Sequence, residues 1–170
     1  NLARNFADLK VLKIICDSSE KALEEMIAKH PEVATTISFE HAINSPEIDA
    51  VVIATPVEKH FSMAKKVLLS GKHVFIEKPL AIRLQEGEEL VSLAKKQNKI
   101  IFVGHILHYH PAIIKIKEMF KKGELGRLQY IYSNRLNLGK IRREENILWS
   151  FAPHDISIIL SLTNEEPSEV

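Results

Sequence analysis

Glu77-Lys78-Pro79 directly follows the apolar run His73–Ile76, and it is the tripeptide in this sequence best placed to handle a proton. A lysine at the dry end of a buried strand loses hydration, so it exchanges a proton nearer neutrality than one in water. Pro79 restricts the preceding residue to an extended backbone and so directs the Lys78 side chain. Read as a bare tripeptide, the same residues also fit a solvated Glu-Lys pair at a turn. His154, within Pro153-His154-Asp155, is of the type most often used as a general acid or base. It also fits a residue at the start of a helix, bonded to a nearby backbone group with Asp155 as a cap. His105, His108 and His110 suggest a metal cluster at first sight. Their i, i+3, i+5 spacing follows a strand and runs into Pro111, which argues against a metal site.

These residues need elements to hold them, and the sequence alternates strand and helix patterns. Asn1–Leu9 puts Leu2, Phe6 and Leu9 on one helical face. Val11–Cys16 reads as a buried strand, followed by the capping cluster Asp17-Ser18-Ser19 and a helix to Lys29 with Ala22, Met26 and Ile27 inward. Thr35–Phe39 reads as a short strand and Ser38–Ile43 as one helical turn. Ala50–Thr55 is a continuous apolar and β-branched run, the pattern of a strand buried on both faces. A helix from about Lys59 to Ser70 ends at Gly71, a C-capping residue. His73–Glu77, Arg83–Gln97 and Ile100–Val103 continue as strand, helix and strand. This alternation predicts a doubly wound α/β domain with a parallel sheet and a ligand crevice at its strand ends.

After about Pro111 the pattern changes. A helix over Ala112–Lys122 ends at Gly123, and Leu128–Leu138 alternates polar with apolar residues, as in a long strand with one differently packed face. Gly139–Asn146 reads as a charged loop and Phe151–Leu162 as a helix. The expected architecture is therefore the doubly wound sheet followed by the start of an α+β domain. One helix and one strand do not close a core of their own.

In that frame other residues gain a reading. Asp17 and Ser18 stand where the second strand of such a domain ends, where a carboxylate accepts hydrogen bonds from an adenosine ribose. Like charge there repels a 2′-phosphate. Their other reading is a helix cap and nothing more. Thr55-Pro56 ends the most buried strand with His60 on the next helix, either as groups set against a nucleotide or as a plain strand-to-helix turn. The G-x-G-x-x-G turn that usually opens a dinucleotide-binding domain does not occur in the sequence.

Composition narrows the classes. The 170 residues are 45% hydrophobic and 26% charged, as in ordinary globular proteins. With 23 basic and 22 acidic residues the net charge is +1, and no field favours nucleic acid or an anionic membrane. Cys16 is the single cysteine, which rules out an intrachain disulfide and a cysteine-rich metal site. Apolar runs are too short to span a bilayer and no secretory leader is visible. The expectation is a soluble, cytoplasmic protein with neither nucleic acid nor membrane as partner.

Ala54-Thr55-Pro56…His60, Gly71-Lys72-His73-Val74-Phe75-Ile76-Glu77-Lys78-Pro79-Leu80 and Pro153-His154-Asp155 together resemble the glucose–fructose oxidoreductase and inositol dehydrogenase (Gfo/Idh/MocA) family. The run from Leu138 through Trp149 to Asp155 is most similar to the branch acting on UDP-linked amino sugars. The resemblance implies a Rossmann dinucleotide-binding domain over 1–110 and the opening of a substrate and oligomerisation domain, with a mostly antiparallel sheet, over 111–170. It implies hydride transfer between NAD and a hydroxyl-bearing carbon of a sugar or sugar nucleotide; the charge of Asp17 favours NAD over NADP, and no metal is expected. Lys78 is implied as the catalytic lysine and His154 as its acid or base partner. Asp17 and Ser18 are implied at the adenosine ribose, and Thr55, Pro56, His60, Glu77 and Lys78 along the cofactor. A homo-oligomer formed through the second domain's sheet is implied as well.

Two departures stand out. The glycine-rich turn and first strand are missing, so the complete protein is expected to continue beyond both ends of this chain. Ser150 stands where many family members carry Asp, four residues before the histidine, and serine is no charged base. These departures sustain an alternative, a non-catalytic binding or regulatory protein on the same fold. A doubly wound methyltransferase or nucleotide-binding module is disfavoured by Glu77-Lys78-Pro79 paired with Pro153-His154-Asp155.

Overall fold

The computed structural model describes residues 1–134 and 147–169. The elements run α1 (Leu2–Asp8), β1 (Ile14–Cys16), α2 (Glu20–Lys29), β2 (Ala34–Thr36), α3 (Phe39–Asn44), β3 (Ala50–Ile53), α4 (His60–Leu69), β4 (His73–Ile76), α5 (Leu84–Lys96), β5 (Ile101–Val103), α6 (Pro111–Lys121) and α7 (Ile147–Thr163). The chain forms two compact units. The first comprises Asn1–Ile76 and Leu80–Phe102, and the second Glu77–Pro79 with the residues from Val103 onward.

In the first unit the strands form two parallel arrangements rather than the single sheet expected. β1 pairs with β2 in parallel, Ile14 opposite Ala34 and Cys16 opposite Thr36. β3 pairs with β4 in parallel, Ala50 opposite His73 and Ile53 opposite Ile76, and β5 lies on the other side of β4. Among the described residues no strand bridges β1 to β3, so each group keeps its own ladder.

Local chemistry sets the helix starts. Ser19 Oγ accepts the Ala22 N–H at 3.2 Å and caps α2, and Ser38 Oγ accepts the His41 N–H at 3.2 Å and caps α3. The Ser38 cap starts α3 at Phe39, which is why the strand expected over Thr35–Phe39 stops at Thr36. Glu86 closes the start of α5 by accepting the Arg83 N–H at 3.4 Å. After α4, Gly71 takes φ +75°, a left-handed conformation that side chains resist, and the chain turns into β4.

The two faces of the β3–β4 pair differ. Ile53, Val74 and Ile76 are buried and share a face, because residues two apart in a strand point the same way. The core beside them is built from Ala64, Val67 and Leu68 of α4 and Leu90 and Ala94 of α5. The opposite face carries an aromatic cluster, with Phe75 stacked on Phe102 at 5.2 Å and Phe6 edge-on to Phe75 at 6.4 Å. Val52 and Phe102 on that face remain partly exposed. β3 is therefore well covered on one face only, not on both as its apolar run suggested.

Other expectations also shift. Leu9 is exposed because α1 ends at Asp8 and Lys10, at φ +60°, turns the chain away. In α2 the buried residue is Leu23, while Ile27 is exposed. Residues 128–134 form no strand: a strand exists only in a ladder, and this segment pairs with nothing among the described residues. Tyr130 and Tyr132 are accordingly exposed. The rest of the expected strand and the loop Gly139–Asn146 lie outside the described residues. The expected helix over Phe151–Leu162 is present within the longer α7. No described helix is long and apolar enough to cross a membrane.

The core of the first unit gives a stability test. Leu90 is fully buried, so Leu90→Ala should cost about 2–5 kcal/mol through lost burial and a residual cavity. Urea unfolding measures this, and a midpoint equal to wild type would remove Leu90 from the core.

Candidate functional site

In the first unit Asp17 immediately follows β1 and is exposed. Its Oδ1 accepts the Ser19 N–H at 2.9 Å, which orients the carboxylate at the strand end. The cap of α2 is Ser19, so Asp17 is not the capping residue, and Ser18 is an exposed residue of the turn. Burial, with the Asp17 carboxylate next door, pushes the Cys16 thiol pKa up, so Cys16 is a poor nucleophile at neutral pH. An exposed carboxylate held at the carboxyl end of a parallel strand fits an adenosine ribose, the group a dinucleotide presents there.

Thr55 and Pro56 follow β3. Thr55 is half-buried, and its hydroxyl donates to Met63 Sδ at 3.6 Å, while Pro56 is exposed. His60 opens α4 and is only 1% exposed. Its Nε2–H donates to the Thr55 carbonyl at 2.8 Å, which places the proton on Nε2. Enclosed in this way, His60 braces the turn from inside.

The second unit gathers the remaining residues. Glu77 and Lys78 are half-buried and Pro79 is buried, and the Lys78–Pro79 peptide is cis. His105 follows β5 with its ring edge-on to those of His108, at 6.1 Å, and His154, at 6.4 Å. His154 lies in α7, half-buried, and its backbone carbonyl accepts the Ser157 hydroxyl at 2.8 Å. Lys78 is close enough for its charge to act on His105: burial first, then His108 and Lys78, push the His105 pKa down. His105 thus links Lys78 to His154, two residues far apart in sequence. Pro153 lies inside α7, and the side chain of Ser150 lies outside the described residues.

The three neighbouring histidines divide their roles. His110 Nδ1 accepts the Ala112 N–H at 3.2 Å and caps α6, whose first residue is Pro111. His108 Nδ1 accepts from Lys117 Nζ at 2.9 Å, and burial with the Lys117 charge pushes its pKa down. Of the three, it is His105 whose ring stands edge-on to that of His154. Among the described residues no cluster of histidine, cysteine or carboxylate side chains is arranged to hold a metal. Sequence spacing pointed to these histidines only as a doubtful metal set; the approach of His105 to α7 is a tertiary contact with no local signature.

These shifts have a consequence for stability. A histidine whose pKa is lowered on folding binds its proton more readily in the unfolded chain. As pH falls through the ordinary histidine value of 6.5, the unfolded state is favoured, and stability should drop. His105→Asn should flatten that fall in urea midpoints measured between neutral pH and mildly acidic pH. An unchanged slope would show that His105 titrates alike folded and unfolded.

Residues 1–105 match the family described as "Oxidoreductase family, NAD-binding Rossmann fold", the Gfo/Idh/MocA family, and the chain belongs to it. The fold is accordingly an NAD-binding Rossmann fold. Among its relatives, the chain is 32% identical over 125 residues to the UDP-N-acetylglucosamine 3-dehydrogenase of Acidithiobacillus ferrooxidans, covering 73% of this chain and 39% of that enzyme. A probable dehydrogenase from Thermotoga maritima superposes with a TM-score of 0.83 at 25% identity, over 97% of this chain and 52% of that one. The WlbA dehydrogenase from Bordetella pertussis, in complex with NADH and UDP-GlcNAcA, gives a TM-score of 0.64 at 28% identity, over 68% of this chain and 33% of that one. The chain thus spans well under two thirds of the length of each of these proteins.

Proposed function

We propose that the protein is a dehydrogenase that transfers a hydride between NAD and a hydroxyl-bearing carbon of a sugar or sugar nucleotide. The observation that carries this reading is the cluster of Lys78, His105 and His154 in one compact unit, in a chain whose other unit is of the NAD-binding family. Relatives named for UDP-N-acetylglucosamine and UDP-GlcNAcA support a nucleotide-linked sugar.

Bound NAD supplies the hydride acceptor. Asp17 and Ser18 hold the adenosine ribose, and Thr55, Pro56 and Glu77 supply further contacts to the cofactor. Hydride loss from a carbinol carbon releases the hydroxyl proton, and a positioned base must take it. His154 is that base, and Lys78 orients and polarises the hydroxyl through its ammonium group. With Ser150 in place of a carboxylate, the proton falls to the imidazole. The direct experiment follows nicotinamide fluorescence after adding UDP-N-acetylglucosamine and NAD to the complete protein. Tight NAD binding with no reduction by sugars or sugar nucleotides would favour the non-catalytic alternative.

NAD is the preferred cofactor in this reading, because the Asp17 carboxylate meets the 2′-phosphate of NADP with like charge. Asp17→Ala should narrow the preference by roughly one to two orders of magnitude, since a charged contact contributes about 1–3 kcal/mol. Titration of both cofactors against wild type and variant checks it. Equal affinities in the wild type would take Asp17 out of the ribose site.

A further inference from the structure

The Nδ1 atom of His105 is buried and has no hydrogen-bond partner among the described residues. Buried polar atoms in native proteins are almost always bonded, and an exception calls for an account such as a bound ligand. This atom belongs to a ring where three stretches of the second unit meet. His154 comes from α7 at 6.4 Å, His108 from the turn before α6 at 6.1 Å, and Lys78 from the Glu77–Pro79 segment. Behind His108 stands Lys117 of α6, bonded to it at 2.9 Å. Burial, His108 and Lys78 all act against a proton on His105.

An uncharged imidazole carries one N–H and one lone pair. A buried lone pair without a partner is better tolerated than a buried N–H without one, as it is for backbone groups. The lone pair therefore belongs on Nδ1 and the proton on Nε2. His108 cannot offer the same atom, because its Nδ1 already accepts from Lys117.

We propose that His105 is a substrate-binding residue whose Nδ1 accepts a hydrogen bond from a hydroxyl of the bound sugar, beside the hydroxyl whose proton passes to His154. The proposal rests on the dehydrogenase reading given above. It adds a requirement to the substrate class: the sugar must carry a second hydroxyl near the reacting carbon, free to donate. An O-methyl or deoxy sugar lacking that donor leaves Nδ1 unsatisfied and binds less well.

Histidine-selective 15N NMR on the complete protein tests the acceptor before any substrate is added. At neutral pH the expected ring carries its proton on Nε2 with Nδ1 bare, and a protonated Nδ1 overturns the proposal. Adding UDP-N-acetylglucosamine should then move the His105 Nδ1 resonance, which needs binding and no turnover. No movement of that resonance with UDP-N-acetylglucosamine or with myo-inositol overturns it as well. In steady-state assays His105→Ala should raise KM about tenfold with kcat little changed, the effect of losing one hydrogen bond to the substrate. An unaltered KM would equally exclude the contact. Should the sugar nucleotide shift His105 while no NAD is reduced, the dehydrogenase reading fails and the hydroxyl contact stands.

Discussion

Replacing Lys78 or His154 with alanine should lower the turnover of the complete protein by about 10²–10⁴, with NAD still bound. The size follows from the proton. Without a positioned base, the hydroxyl proton must leave to water while the hydride departs, and general acid–base catalysis is worth that factor. The second unit brings the two residues near one histidine: the His154 ring lies edge-on to that of His105, and the charge of Lys78 reaches His105 too. The roles assigned to them differ, and so should the variants. Lys78→Arg keeps a cation but changes its shape and hydrogen-bonding geometry, so it should recover little. His154→Gln keeps a polar side chain that cannot take a proton, so it should be as slow as His154→Ala. The double variant should be little slower than either single one, because residues acting on one proton are not additive. Turnover is read from nicotinamide absorbance with UDP-N-acetylglucosamine, and NAD binding from fluorescence quenching. Normal turnover with both residues replaced would end this mechanism.

The sequence proposed Lys78 and His154 as site residues for different reasons. Lys78 follows a strand whose apolar run is a local signal, and a proline marks the turn. His154 is one of eight histidines, and only its motif singled it out. The surroundings of His105 were not legible, because they lie in contacts with α7 and with the segment after β4, both distant in sequence. The fold divides in the same way. Serine caps and Gly71 punctuate the elements of the first unit, and those signals depend on nearest neighbours alone. The strand expected over 128–138 failed in its described part because alternation of side chains shows which face is apolar and says nothing about a partner ladder. The burial of β3 was overstated for a related reason. An apolar run is compatible with cover on both faces, while the actual cover depends on where α1 and α4 pack.

The turn that His60 braces leads to the second large effect. The His60 ring is buried and donates to the Thr55 carbonyl at 2.8 Å. Two losses follow from His60→Ala. The cavity left by a buried imidazole costs packing, and the Thr55 carbonyl loses its donor in a partly buried place. Together they should destabilise the protein by about 2–5 kcal/mol, read as a lower urea midpoint at constant slope. His60→Phe separates the two terms, since it refills the volume and leaves the carbonyl without its bond. It should regain most of the packing loss while keeping a deficit of about 1–3 kcal/mol. The function should follow the turn and not the ring itself. If Thr55 and Pro56 contact the cofactor, His60→Phe should weaken NAD binding by loosening the turn that holds them. His60→Gln, whose amide can donate to the same carbonyl, should restore part of that affinity. A His60→Phe protein with wild-type stability and wild-type NAD affinity would show that the bond to Thr55 braces nothing.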